Sequence, residues 1–212
     1  MKKRLLSVVC AVCVFLFLLT AAIALPIYIR PFYYAHIGAC ELENLSGYPE
    51  SEIRQAYDEV LDYLTLPGRA FGTGVLPHSA EGKGHFADCK ALFDLNAVVL
   101  TGSALVLAVL FLLRKKWGPY RLGGHSAPFW AAVFALTAPV VIGALAARDF
   151  DRAFVVFHAI FFPGKTNWVY DWYADPIIRI LPQDFFRNCA IFIGGGLVTM
   201  AGGILIWDGR KK

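Results

Sequence analysis

The sequence predicts an all-α polytopic membrane protein with four transmembrane helices and a small helical cap outside the membrane. Of its 212 residues, 58% are hydrophobic and only 17% are charged. Four long stretches also contain no Asp, Glu, Lys or Arg, and these predicted spans are 5–29, 95–113, 126–147 and 189–207. Each is long enough to cross a hydrocarbon layer about 30 Å thick, and none alternates as a barrel strand would. We expect one membrane domain, 1–212.

The distribution of charge predicts the orientation of the spans. The N-terminus, the loop between the second and third spans and the C-terminus together hold ten Lys and Arg but one acid, Asp208. The two long segments, 30–94 and 148–188, hold the other ten basic residues and 15 acids. Because basic residues accumulate in cytoplasmic loops, we expect a multi-pass protein of the cell membrane with both termini in the cytoplasm and both long segments outside, as its cap. The sequence contains no basic stripe interleaved with aromatic residues, so we expect no binding to nucleic acid.

The cap is predicted to be helical. Within 51–64, apolar side chains recur on one helix face, and prolines precede and follow this stretch. The glycine- and proline-rich stretch 71–84 is predicted to be a loop. A helical pattern then runs from His85 into the second span without a breaker. In the other outer segment, the apolar stretch 154–162 is followed by Pro163-Gly164, which is predicted to end it.

Aromatic residues concentrate in the two outer segments, which hold 20 of the 31 in the chain. A belt of Trp and Tyr at the membrane surface explains many of them. It explains less well the five Phe around His158, because Phe gains less than Trp or Tyr from a position among lipid headgroups. This density predicts an apolar pocket at the boundary between cap and membrane, suited to an acyl chain.

Two of the five histidines differ from the others in their surroundings. His36 and His78 are expected in turns, and His125 on the cytoplasmic side, all in structural or solvated positions. His85 and His158 both lie in the outer segments, each next to Phe. A neutral imidazole accepts and returns a proton near pH 7, which acyl transfer requires. Spacing alone leaves a structural role open for these two as well.

The cysteines do not define a redox framework. Cys10 and Cys13 fall within the first span, where they are expected to act as small apolar side chains. Cys40 and Cys89 fall in the first outer segment. A disulfide between them stays open, because nothing in the sequence sets their distance.

Four short stretches point to a known family. They are 85–93 (HFADCKALF), 157–168 (FHAIFFPGKTNW), 175–176 (DP) and 181–186 (LPQDFF). Together with the basic N-terminus, the helix in the cap and the spacing of the later spans, they resemble the four-span bacterial lipoprotein intramolecular transacylases. The resemblance extends over nearly the whole chain.

The resemblance implies an acyltransferase that acts on diacylated lipoproteins at the outer leaflet among membrane lipids, without cofactor or metal. It implies transfer of the sn-2 acyl chain from the glyceryl group to the α-amine of the lipoprotein's own N-terminal cysteine, which gives a lyso-form product. The catalytic residues are then His85 and His158, with Asp88 orienting His85. We expect His158 to act as the base, with an exchange of roles left open. The residues expected to bind substrate are Phe86, Phe157, Phe161, Phe162, Trp168, Asp175 and Phe185.

Two other functional classes are alternatives to a transacylase. In a haem- or quinone-linked membrane redox protein the histidines would be axial ligands, but His85 and His158 are expected at helix ends outside the spans. Zinc held by these two and Asp88 is a weaker variant. A non-enzymatic membrane interaction protein would bind a partner through its cap, and its histidines would be dispensable.

Overall fold

The computed structural model describes residues 2–117, 120–146 and 148–210, and most of them are helical. In chain order the elements are α1 (Lys2–Tyr28), α2 (Arg30–Ala39), α3 (Leu42–Ser46), α4 (Glu50–Thr65), α5 (Ala80–Trp117), β1 (Arg121–Leu122), β2 (His125–Ser126), α6 (Ala127–Ala146), α7 (Phe150–Phe161), α8 (Ile177–Ile180) and α9 (Gln183–Gly209). The predicted all-α class is therefore confirmed for this part of the chain, to which the structure adds one short antiparallel hairpin.

Contacts within the chain group into two compact units. The span unit comprises Met1–Leu25, Asn96–Arg148 and Ile191–Lys212. The site unit comprises Pro26–Leu95 and Asp149–Ala190. Its two segments coincide, within a few residues, with the two segments predicted to form the cap.

Among the residues described, three helices are long and apolar enough to cross a membrane: α1, α5 and α9. They carry the first, second and fourth predicted spans. The third predicted span, 126–147, coincides with α6, but Ala147 and the side chains over 138–142 and 144–146 lie outside the described residues. The last two lysines of the chain, which contribute to the predicted orientation, lie outside them too. The third of the four predicted spans therefore stays a prediction.

The span unit packs through small residues and buried polar contacts. Gly196 lies so close to α1 that a Cβ at this position would meet Leu25 Cδ1 at 2.5 Å. Asn96 Nδ2 donates a hydrogen bond to the Thr20 carbonyl at 3.3 Å. Small residues at helix contacts and hydrogen bonds between helices are the usual means of packing where lipid offers polar groups no partner. The span unit thus has the packing expected of membrane helices.

The core of the site unit forms around α4. The face predicted from the sequence is buried, and its members are Ile53, Ala56, Tyr57, Val60, Leu61 and Leu64. Tyr33 of α2 stacks on Tyr57, with 3.6 Å between the ring centroids. The Tyr33 hydroxyl donates a hydrogen bond to the carbonyl oxygen of Ile180 at 2.8 Å. One buried side chain therefore connects α2, α4 and α8.

The predicted loop 71–84 is wrong at its end, because α5 already begins at Ala80. Ser79 Oγ accepts a hydrogen bond from the backbone N–H of Gly82 at 2.9 Å, as an N-cap does. Asp175 in turn accepts from the Ser79 backbone N–H and from its hydroxyl, both at 2.7 Å. These bonds stabilise the first turn against the low helix propensity of its glycines, so His85 lies inside the helix.

His36 was expected in a turn, and this prediction is wrong because His36 lies within α2. A proline in the first turn of α2 favours a helix start, since its missing N–H needs no partner there. The His36 ring is buried; its Nδ1 donates to the Phe32 carbonyl at 2.7 Å, and its Nε2 lies 3.0 Å from Asn188 Nδ2. Both ring nitrogens are thus used structurally.

We predict that Tyr33→Phe destabilises the protein. The substitution keeps the stacked ring but removes the hydroxyl partner of the Ile180 carbonyl, which costs about 1–3 kcal/mol for a buried acceptor. In a chain of this size the melting temperature of the purified protein should fall by about 2 °C or more. Tyr173→Phe is the matched control, because Tyr173 is 82% exposed. Equal melting temperatures for the two variants would contradict this account of the core.

Candidate active site

The site unit brings the two predicted histidines together. His85 lies near the start of α5 and His158 lies in α7, and the centroids of their rings are 5.7 Å apart. Only 6% of His85 and 5% of His158 is exposed. Two buried imidazoles at this separation can contact a single ligand group from two sides.

Aromatic rings enclose both imidazoles. Trp168 stacks on His158 at 4.4 Å between centroids, and Phe154 lies 4.3 Å from the same ring. Phe162 meets His85 edge-on at 4.9 Å. Such rings exclude water and disfavour positive charge on the imidazoles by desolvation. The aromatic surroundings predicted for this pair are therefore present.

The tautomer of His158 follows from one backbone contact. Its Nδ1 lies 2.8 Å from the Phe154 carbonyl oxygen, one turn earlier in α7. A carbonyl only accepts hydrogen bonds, so Nδ1 carries the proton and Nε2 keeps its lone pair. Burial lowers the pKa of His158, although the bond to Phe154 opposes this shift. His158 is therefore a neutral imidazole with a basic Nε2 at neutral pH.

His85 has one engaged and one unengaged nitrogen. Its Nε2 lies 3.4 Å from Cys89 Sγ, one turn further along α5. Its Nδ1 is buried and has no hydrogen-bond partner within residues 2–117, 120–146 and 148–210. Burial, together with the positive charge that His158 would carry, lowers the pKa of His85 to about 4. Burial also raises the pKa of Cys89 to about 12, so this thiol stays protonated and is a poor nucleophile.

Asp88 connects α5 to the segment that follows α7. Lys165 Nζ donates to Asp88 Oδ1, and Asn167 Nδ2 donates to Asp88 Oδ2 at 3.1 Å. The Lys165 ammonium holds the pKa of Asp88 below its ordinary range. Both carboxylate oxygens are thus engaged, and Asp88 acts on His85 through its charge, which favours the protonated imidazole. The predicted orienting role of Asp88 stays a prediction; its observed contacts fix the segment that carries Trp168.

The predicted substrate-binding residues occupy different surroundings. Phe162 and Phe86 are buried beside His85. Phe157 and Phe161 of α7 are about half exposed, at 46% and 48%. Their rings pack against each other at 4.7 Å between centroids. They present apolar surface next to the histidine pair.

Asp175 and Phe185 have structural contacts. Asp175 is buried and both of its carboxylate oxygens bind Ser79. Phe185 is buried in the core of the site unit, where its ring meets Tyr33 at 5.2 Å and His36 at 5.4 Å. A substrate contact is not needed to explain either position. Their role in substrate binding stays a prediction.

Three further residues belong to the site by position. Lys165 and Asn167 bind Asp88, and Tyr170 meets the His85 ring at 5.7 Å between centroids. Lys165 and Asn167 fall within a stretch that the sequence already singled out, and Tyr170 falls among many aromatics. Nothing in the sequence separates them from their neighbours, since only the folded segment brings them to α5.

Buried polar atoms without a partner cluster here. Of the four such side-chain atoms in the described part of the chain, three belong to the site: His85 Nδ1, Asn167 Oδ1 and the Tyr170 hydroxyl. Leaving a buried polar group unpaired costs about 1–3 kcal/mol. A concentration of such groups at one place is typical of a site that binds a polar ligand.

Comparison with known proteins now identifies the family. A family model described as lipoprotein intramolecular transacylase Lit matches residues 8–186. The chain belongs to this family. Membership confirms the resemblance inferred from the sequence and makes the protein an acyltransferase of the membrane. It supports this class over the redox and interaction alternatives. Across the ranges that the structure describes, no three His, Cys, Asp or Glu are grouped to hold a metal.

Solved structures share the transacylase fold. The membrane-integral lipoprotein intramolecular transacylase of Bacillus cereus matches with a TM-score of 0.87 and 23% identity, over 99% of this chain and 97% of that chain. Two structures of the same protein with one histidine replaced by arginine or alanine match with TM-scores of 0.78, over 99% of this chain and 93% and 94% of theirs.

A sequence relative covers less of the chain. An uncharacterised protein of Aquifex aeolicus (strain VF5) is 25% identical over 104 residues, which are 49% of this transacylase and 44% of the relative. The alignment thus spans under half the length of that relative.

We predict that His85 stays neutral well below pH 6.5. Spectra of the protein with ¹⁵N-labelled histidine should show His85 titrating near pH 4, with His85→Gln assigning the signal. The unfolded chain binds a proton near pH 6.5, so between about pH 6.5 and 4 the folded state binds fewer protons. Stability should therefore fall as the pH decreases through this window.

The same prediction has a thermal test. Between pH 7 and pH 5 the melting temperature of the unsubstituted protein should fall further than that of His85→Gln, which lacks the titrating group. Titration of His85 near pH 6.5, or equal falls for the two proteins, would contradict the burial of a neutral imidazole.

Proposed function

We propose that this transacylase moves the sn-2 acyl chain of a diacylated lipoprotein to the α-amine of the same lipoprotein's N-terminal cysteine. The observation that carries the proposal is the pair of buried, neutral imidazoles 5.7 Å apart in a family whose named reaction is intramolecular. The amine must lose a proton to become acylated, and the glyceryl oxygen must gain one as it leaves. A group that accepts and returns one proton completes this exchange.

His158 is the proposed proton carrier. Its Nε2 has a free lone pair, because Nδ1 is committed to the Phe154 carbonyl. It takes the proton from the amine as the new C–N bond forms, and returns it to the glyceryl oxygen as the ester C–O bond breaks. His85 has a pKa of about 4 and stays neutral, so it is proposed to hold the reacting groups by hydrogen bonding through Nδ1.

An intramolecular reaction needs no enzyme-bound acyl group. Donor and acceptor belong to one substrate, so holding them in a reactive geometry removes most of the entropic cost of bringing them together. The protonated thiol of Cys89 fits this scheme, since a thiolate nucleophile is not required. The exposed rings of Phe157 and Phe161 supply apolar surface for the acyl chain as it moves.

Four spans and an extracytoplasmic site are the proposed arrangement in the membrane. α6 consists of 20 residues without Asp, Glu, Lys or Arg, which supports a fourth span beside the three long apolar helices. The excess of Lys and Arg at both termini, in the last turn of α5 and at Arg121 supports cytoplasmic ends. The segments that carry His85 and His158 then face the outside, where diacylated lipoproteins are presented.

We predict that His85→Ala and His158→Ala each reduce transacylation by about 10²-fold or more, since a general base contributes at least this much and His85 holds the groups on which it acts. The assay uses a dilipidated lipopeptide in detergent and fragments the N-terminal cysteine in a mass spectrometer. Activity appears as an N-blocked product of unchanged mass, because the acyl chain only changes its position.

The matched control is His78→Ala. His78 is an exposed histidine of the loop before α5, and its removal should leave the rate unchanged within about two-fold. Full activity of both His85→Ala and His158→Ala would contradict the assignment of the pair. Equal losses for all three variants would point to a general effect on folding instead.

A labelling experiment tests the proposed orientation. Ser51→Cys places a thiol on α4, and Lys115→Cys places one near the end of α5. A membrane-impermeant maleimide added to intact cells should label the first variant, and should label the second only after the membrane is opened. The unsubstituted protein gives the background of its native cysteines. The reverse pattern would contradict the orientation.

A further inference from the structure

We propose that the hydroxyl of Tyr170 binds the carbonyl oxygen of the sn-2 ester and stabilises the negative charge that forms on this oxygen during acyl transfer. The inference deepens the proposed function and rests on it. It assigns to Tyr170 a direct contact with the reacting group of the substrate.

The position of the Tyr170 hydroxyl supports this contact with the substrate. The Tyr170 hydroxyl is buried, and it finds no hydrogen-bond partner in the described ranges of the chain. The Tyr170 ring meets His85 edge-on, with 5.7 Å between centroids and 76° between planes, and packs against Phe86 at 6.1 Å. Native proteins pair nearly all of their buried polar groups. A hydroxyl left unpaired on a ring that packs against His85 therefore indicates that its partner is the substrate.

The Tyr170 ring is held in place before substrate binds. Gly82, in the first turn of α5, lies so close that a Cβ there would approach Tyr170 Cε1 to 3.0 Å and would overlap the Asp175 carboxylate. Asp175 is itself fixed by its two bonds to Ser79. The phenol therefore packs on the same helix that carries His85. A donor that is already in position needs no reorganisation when charge develops, which is what makes such donors effective.

The protonation state of the Tyr170 hydroxyl also suits this role. Burial raises the pKa of Tyr170, so the hydroxyl keeps its proton at neutral and alkaline pH. It is therefore a hydrogen-bond donor and not a base. The other unpaired oxygen, Asn167 Oδ1, only accepts hydrogen bonds. It suits an N–H of the amine, whereas the Tyr170 hydroxyl suits an oxyanion.

These groups account for each bond and proton of the transfer. The amine nitrogen attacks the ester carbon, its proton passes to His158 Nε2, and the carbonyl electron pair moves to the oxygen bound by Tyr170. The carbonyl then re-forms as the bond to the glyceryl oxygen breaks, and this oxygen takes the proton from His158. The products are an amide and a free hydroxyl, and no other reactant is consumed.

The test compares the Tyr170→Phe variant with the unsubstituted protein in the lipopeptide assay. We expect kcat to fall by about 10²–10³-fold, as when one oxyanion donor is removed, while KM changes by less than about two-fold. Tyr173→Phe makes the same change at a residue 82% exposed, and should keep kcat within about two-fold of the unsubstituted enzyme. A folded Tyr170→Phe with kcat within two-fold would overturn the inference.

Two inhibitors separate charge stabilisation from a structural role. A lipopeptide with a phosphonate at the sn-2 position carries the tetrahedral, negatively charged oxygen, whereas an sn-2 ether has no carbonyl oxygen at all. Tyr170→Phe should weaken binding of the phosphonate by at least ten-fold and leave the Kd of the ether unchanged. Equal weakening of both would overturn the inference.

A second substitution provides the test if Tyr170→Phe does not fold. Difluorotyrosine incorporated at Tyr170 keeps the shape of the ring and makes the hydroxyl more acidic, so kcat should change by at least two-fold. An unchanged kcat would overturn the inference. The proposed function fails separately: in that case the unsubstituted enzyme itself forms no N-acylated product from the ester lipopeptide.

Discussion

The site depends on the carboxylate of Asp88, which binds Lys165 through one oxygen and Asn167 through the other. This pair of contacts fastens the segment after α7 to α5. The same segment carries Trp168, which stacks on His158. Because about half of the Lys165 side chain is exposed, the ion pair contributes less to stability than to geometry. Its consequence is that residues far apart in sequence meet around two imidazoles.

Enclosure by aromatic rings then sets the chemistry. Burial keeps both histidines neutral at physiological pH, since the charged form loses solvation. A neutral imidazole is the form that accepts a proton from an amine. The same burial keeps the hydroxyl of Tyr170 protonated and therefore a donor. One environment thus provides a proton acceptor and a hydrogen-bond donor, which an acyl transfer requires together.

Much of this arrangement could be predicted from the sequence, because the signals are local. The apolar face of α4 follows from its periodicity, and the long helix through His85 follows from the absence of breakers after it. The start of α5 could not be predicted, since Asp175 stabilises it from 96 residues away. Lys165, Asn167 and Tyr170 were missed for the same reason. Their roles depend on contacts between segments, and a single sequence contains no record of such distances.

In the proposed reaction, one substrate molecule both gives and receives the acyl chain at the His85–His158 pair. It is tested most directly by a crossover experiment. Two lipopeptides of different sequence are mixed with the enzyme, one with a deuterated sn-2 chain and one with an ordinary chain. Each N-acylated product should keep the acyl chain of its own precursor, because the reaction is intramolecular. Deuterated chains on the product of the unlabelled lipopeptide would contradict it.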